Sequence, residues 1–196
     1  MTRSALSQPE AVAASDSALA PLRRGGFRAV WSALAGSQLV IWMNTVGAVT
    51  VIAAVSDRLR VGAFVLNNDL RHPAVLAQEL ASLDVISGGR VDVGIGAGWN
   101  EREYRATGIG FDPPGTRIER MTEAIAVLRG LFAEGPFTYS GRFYTITEMD
   151  GQPKPVQRPH PPLIIGGSQQ RMLRFAGAEA DIVSISPSWD ARQIGP

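Results

Sequence analysis

The chain has 196 residues, no cysteine, and a net charge of +1 from 19 basic and 18 acidic residues. That length holds one domain with a real core, or a domain and a short appendage. The lack of cysteine excludes disulfides and thiolate metal sites and agrees with a reducing, cytoplasmic setting, while the balanced charge without a long basic run argues against nucleic acid as a partner.

Residues 1–22 are rich in Ala and Ser without clear periodicity and read as a weakly structured leader. Residues 29–56 carry no charge and include the run Leu39-Val40-Ile41-Trp42-Met43. A membrane span needs about 20 apolar residues. Here Ser37, Gln38, Asn44, Thr45 and Thr50 interrupt the stretch, and Gly36 and Gly47 weaken any helix. A buried strand followed by a buried helix is therefore the expected form. Membrane tethering is the competing one, kept open by Arg23, Arg24 and Arg28 just ahead. Residues 1–50 thus form an atypical leader and apolar segment, and residues 51–196 the domain proper.

Beyond residue 56 the pattern is regular. Residues 60–66 read as one continuous apolar strand of the kind buried in a parallel sheet, ending in the polar Asn67-Asn68-Asp69. Pro73 suits a first helical turn; Leu76, Leu80 and Leu83 follow at helical spacing until Ser87-Gly88-Gly89 stops the helix. Residues 91–96 form the next strand, which enters the small-residue corner Gly96-Ala97-Gly98 and then Trp99 and Asn100. Glycines there admit a second backbone or a flat ligand. A short polar helix begins at Glu101. Thr116-Arg117-Ile118-Glu119 reads as a capping box, opening a helix with Ile118, Met121, Ile125, Leu128 and Phe132 on its inner stripe.

Residues 137–146 look like a hairpin turning on Ser140-Gly141. The proline-rich residues 153–162 run extended and deliver the chain to a strand at residues 163–167. Ser168 is expected to cap a helix carrying Met172, Leu173 and Phe175, and residues 180–185 form a last strand.

Alternating strand and helix with apolar strands implies a parallel sheet covered by helices, either open and doubly wound or closed as a barrel. The dinucleotide fingerprint fails because Trp99 stands where the third glycine belongs. His72 and His160 are the only histidines and no carboxylate pair at metal spacing accompanies them, so no metal site is expected. His72 reads as a cap or loop residue, Asp84 as a surface residue, and Arg117 as a partner for Glu101 or Glu103. Tyr104 is either a proton-relay donor or a packing residue. In parallel α/β folds ligands gather at the carboxyl ends of strands, which singles out Gly98 and Trp99. The alternative there is a tight turn with a packing Trp.

Arg60-Val61-Gly62, Asn67-Asn68 with His72-Pro73-Ala74, Leu83-Asp84 with Ser87-Gly88-Gly89-Arg90, Gly94-x-Gly96-Ala97-Gly98-Trp99 with Glu103-Tyr104, Tyr139-x-Gly141-x-Phe143-Tyr144, Pro153-Lys154-Pro155 and Gly166-Gly167-Ser168 occur in this order. Together they resemble the luciferase-like monooxygenase family, and their spacing suits its branch dependent on the deazaflavin coenzyme F-420. The resemblance covers residues 53–186. It implies a (β/α)8 TIM-barrel fold, present here in part with about five or six of eight strands, and an oxidoreductase moving a hydride between a deazaflavin, or alternatively FMN, and a small organic substrate, in flavin-dependent members with use of oxygen.

By resemblance, Asn67 and Asn68 lie against the ring, near a cis peptide. Gly98 and Trp99 border the cofactor and substrate pocket, and Gly166, Gly167 and Ser168 hold the phosphate. Independent chemistry supports the last assignment, because free amides at a helix start make an anion site, with Arg171 one turn on. No catalytic residue is assigned. A complete barrel of this kind takes about 250 residues, so the chain is expected to be a truncated member or gene fragment that relies on missing strands or a homo-oligomeric partner. A non-catalytic remnant is the alternative function.

Overall fold

The computed structural model describes residues 55–185, together with 47 and 50–52. The strand expected at residues 39–43 and most of the uncharged run lie outside these residues. Among the described residues no helix is long and apolar enough to cross a membrane. In chain order the elements are β1 (Val61–Gly62), β2 (Leu66–Asn67), a 3-10 turn (Asn68–Leu70), α1 (Pro73–Ser87), β3 (Val91–Gly96), α2 (Glu101–Thr107), α3 (Pro114–Phe132), β4 (Phe137–Ser140), β5 (Thr145–Met149), β6 (Leu163–Gly166), α4 (Gln170–Glu179) and β7 (Ile182–Ser184).

The sheet is parallel throughout, with β3 between β1/β2 on one side and β6 on the other, and β7 beyond β6. Each crossover runs through helix, as parallel pairing requires. Val91, Val93 and Ile95 point one way from β3 into a core with Leu80, Met121, Ile125 and Leu128. Ile95 and Ile165, neither of them exposed to solvent, each contribute about 2 kcal/mol by that burial.

The continuous strand expected over residues 60–66 is instead two short ones. Gly62 pairs with Asp92 and Leu66 with Ile95, so four steps on one strand oppose three on its neighbour. One extra residue makes a bulge. The chain leaves the ladder at Ala63-Phe64-Val65, where the Phe64–Val65 peptide is cis, and folds onto the face of β3 opposite that core. Gly94 accommodates it, since a Cβ there would lie 1.8 Å from the Ala63 carbonyl oxygen. At the Gly96-Ala97-Gly98 corner itself the close neighbours are side chains, a Cβ on Gly96 lying 2.8 Å from Val65 Cγ2.

α1 starts as its sequence suggests, with Pro73 in the first turn and the His72 ring nitrogen accepting the Ala74 N–H at 3.3 Å, and it stops at Gly88 in the left-handed region. Two expected caps are absent. α3 begins two residues earlier than Thr116, at Pro114, because proline supplies the helical φ and has no N–H to satisfy. Glu119 then faces Arg142 and Arg171 rather than its own helix start. α4 begins after Gln169, with no side-chain cap, so Ser168 stays outside the helix.

Asp84, expected at the surface, is fully buried. Its carboxylate accepts the Val156 N–H at 2.7 Å, the Gln157 N–H at 2.9 Å, Gln157 Nε2 at 2.7 Å and the Val91 N–H at 3.4 Å. It ties α1, the start of β3 and the loop before β6 together at the amino end of the sheet. The hairpin β4–β5 is fastened in a comparable way, by Glu123 of α3 accepting the N–H groups of Arg142, Phe143 and Tyr144 at 2.8, 2.9 and 3.2 Å.

Candidate functional site at the carboxyl ends of the strands

Register across the sheet aligns the ends of four strand positions. Asn67 pairs with Gly96, Ile95 with Ile165, and Gly166 with Ser184. Asn67, the Gly98-Trp99 corner and Gly166-Gly167-Ser168 therefore emerge along one edge, from adjacent strands roughly 5 Å apart. That edge carries exposed aromatic surface in Trp99, which is 85% exposed, while Phe64, 77% exposed, stands in the bulge before the strand end.

Beneath Trp99 lies a dense polar cluster. Tyr104 of α2 is fully buried and its hydroxyl lies 3.1 Å from Asn67 Oδ1 and 3.0 Å from Asp69 Oδ2. Burial, then the neighbouring Asp69 carboxylate, push the phenol up to about 12. It is a neutral donor at any physiological pH, which fits packing and positioning better than proton relay. The Asp69 carboxylate also takes Arg120 of α3 at 2.8 Å. Burial disfavours the Arg120 charge, but hydrogen bonds to Asp112 and Asp69 outweigh it and raise the pKa.

The Asn67 side-chain oxygen also accepts the Asp69 N–H at 3.1 Å. Among the described residues, its Nδ2 is buried without a partner. Gly98, at φ +74, sits directly over this amide; a Cβ would be 2.0 Å from the Tyr104 hydroxyl. Asn68 is buried, and its side chain donates to Asp69 at 3.2 Å.

Arg117 does not pair with Glu101 or Glu103. It is buried, its Nε donates to the Asp112 carbonyl at 2.9 Å, and a terminal nitrogen donates to the carbonyls of Ala97 and Gly98. Glu101 instead pairs with Arg105 and Glu103 accepts from Asn100. Along the edge, the Gly167 N–H is taken by the Ser184 carbonyl at 3.1 Å. Ser168 and the start of α4 lie just beyond it. Arg171 is exposed, 3.5 Å from Glu119.

Sequence reasoning missed Asp69 and Arg120, which lock Tyr104 in place. The spacing of Arg117 and Arg120, three apart on the α3 turn facing the β3 loop, was the available signal.

A profile of the luciferase-like monooxygenase family matches residues 19–194. The chain belongs to that family. Among curated relatives, an FMNH(2)-dependent dimethylsulfone monooxygenase of Pseudomonas putida is 34% identical over 130 residues, covering 66% of this chain and 36% of that protein. Among solved structures, the monooxygenase RslO1 from Streptomyces bottropensis superposes with a TM-score of 0.67 at 29% identity, covering 76% of this chain and 44% of its own. The coenzyme F-420 dependent tetrahydromethanopterin reductase from Methanopyrus kandleri gives 0.65 at 27% identity, with 72% and 44% covered. The chain spans less than half the length of these relatives. The sheet, with its four parallel strand positions among the described residues, is accordingly part of a luciferase-like α/β barrel architecture.

Proposed function

We propose that the chain is an oxidoreductase that binds a flavin or deazaflavin across the carboxyl ends of β2, β3 and β6 and serves hydride exchange with a small organic substrate. The observation that carries this reading is the alignment of Asn67, Gly98-Trp99 and Gly166-Gly167-Ser168 along one edge, together with a family whose named relatives depend on FMNH(2) or coenzyme F-420.

The residues present fit such a group. Asn67 Nδ2 is a buried donor without a partner at the strand end, and a ring bearing carbonyl oxygens is a natural acceptor for it. Phe64 and Trp99 offer the flat apolar surface against which a planar ring stacks. Ser168, with the first turn of α4 and Arg171, suits a phosphate tail. When bound, the cofactor supplies the hydride donor or acceptor. The chain orients the ring, covers one side of it and excludes water, which is where proximity effects arise.

Coenzyme F-420 is the first choice by motif spacing and FMN the alternative, since both present a ring and a phosphate. Titrating the full chain with oxidised and reduced FMN and with F-420, followed by absorbance, tests this. Saturable binding of either is expected; no binding at high micromolar concentrations overturns it.

A further inference from the structure

Arg117 is 6% exposed, and it donates three hydrogen bonds to main-chain carbonyls. Nε donates to Asp112, and one terminal nitrogen reaches both Ala97, at 3.3 Å, and Gly98. Its guanidinium carbon lies 4.2 Å from the centre of the Phe111 ring. A buried cation without a carboxylate is costly unless its hydrogens are used. Here they are used to gather two successive carbonyls.

The peptides on either side of Gly98 are not among the cis bonds. In a trans peptide the C=O and N–H point in opposite directions. With the Ala97 and Gly98 carbonyls turned toward Arg117, the N–H groups of Gly98 and Trp99 must face away from α3. Neither donates a hydrogen bond among the described residues. At this exposed edge such main-chain donors are hydrated, and a ligand oxygen that displaces the water finds both of them free.

We infer that Arg117 is a positioning residue that fixes the two peptides flanking Gly98, so that the Gly98 and Trp99 N–H groups receive a carbonyl oxygen of the planar ring held at this edge. The inference rests on the cofactor reading above. It adds a ligand contact made by main chain, set by a side chain that never touches the ligand. An acceptor oxygen with partial negative charge is the matching chemistry, because two N–H dipoles reinforce on it.

The test is residue-resolved amide exchange by NMR on the full chain, alone, with FMN, with F-420, and with inorganic phosphate. Binding of either cofactor should slow exchange at Gly98 and Trp99 at least tenfold, and phosphate alone should not. Arg117→Gln should bind the same cofactor about tenfold more weakly and lose that protection, with Arg117→Lys between the two. Cofactor binding without protection at these amides, equal protection by phosphate alone, or full protection in a folded Arg117→Gln overturns the inference and leaves the cofactor reading standing. Failure of both cofactors to bind overturns both. If Arg117→Gln does not fold, the wild-type arms still decide the ligand contact and Arg117→Lys decides the role of the fork.

Discussion

The two ends of the same parallel sheet are built on opposite terms. At the amino end, Asp84 is saturated by four donors from two other segments, and Arg60 Nε holds Asp92 at 3.0 Å across the neighbouring strand. At the carboxyl end, Trp99 stands exposed and, among the described residues, Asn67 Nδ2 lacks a partner. Satisfied polar groups hold the fold at one end. An unpartnered amide and a bare ring at the other stand where we propose that the cofactor binds, the division of labour expected of a barrel sheet.

Gly94→Ala should break the comparison outright. Its Cβ would meet backbone, the Ala63 oxygen at 1.8 Å, so no rotamer relieves the clash and the bulge must leave the sheet. The expected loss exceeds about 5 kcal/mol, read as no cooperative melt. Asp84→Ala comes next, stranding buried N–H groups for a loss of about 4 kcal/mol in chemical denaturation, with Asp84→Asn retaining part of it.

The Tyr104 phenol offers a finer cut by pH. Its folded value, about 12, lies above the ordinary 10, so its contribution is complete below pH 10 and disappears as pH rises through 10 to 12. About 2 to 3 kcal/mol of stability should be lost in that window, and Tyr104→Phe should flatten the slope there. Smallest in stability is Trp99→Ala. With its side chain in solvent it should change the unfolding midpoint by no more than about 0.5 kcal/mol, while weakening cofactor binding several-fold. A large destabilisation would place Trp99 with the structural end of the sheet instead.

The parts of this fold legible in the sequence are those with local signals. β3, α1 and the hairpin follow from apolar runs, a Pro start and a Gly stop, and their residues sit where those patterns put them. The bulge was not legible, because Val61 to Leu66 is as apolar as an unbroken strand. Its only trace is across the sheet, in the empty positions Gly94 and Gly96. Asp84 was misread because helical periodicity shows which face a residue occupies but not which distant loop brings donors to it. Its spacing of four from Leu80 and three from Ser87, both buried, was the hint. The strand-end alignment was legible in outline, since Trp99 and Ser168 each follow a strand. The Arg117 contacts were not, because the three-residue spacing from Arg120 marks a shared helix face but not the carbonyls that this face meets.

If the carboxyl edge is a cofactor site, one ligand must span both of its corners. Titrating FMN and F-420 into the wild type, Trp99→Ala and a Ser168→Ala/Arg171→Ala double variant measures it. Both changes should raise the dissociation constant of the same single binding event, each several-fold, with the fold intact. Binding that ignores either corner, or separates into two independent events, contradicts it.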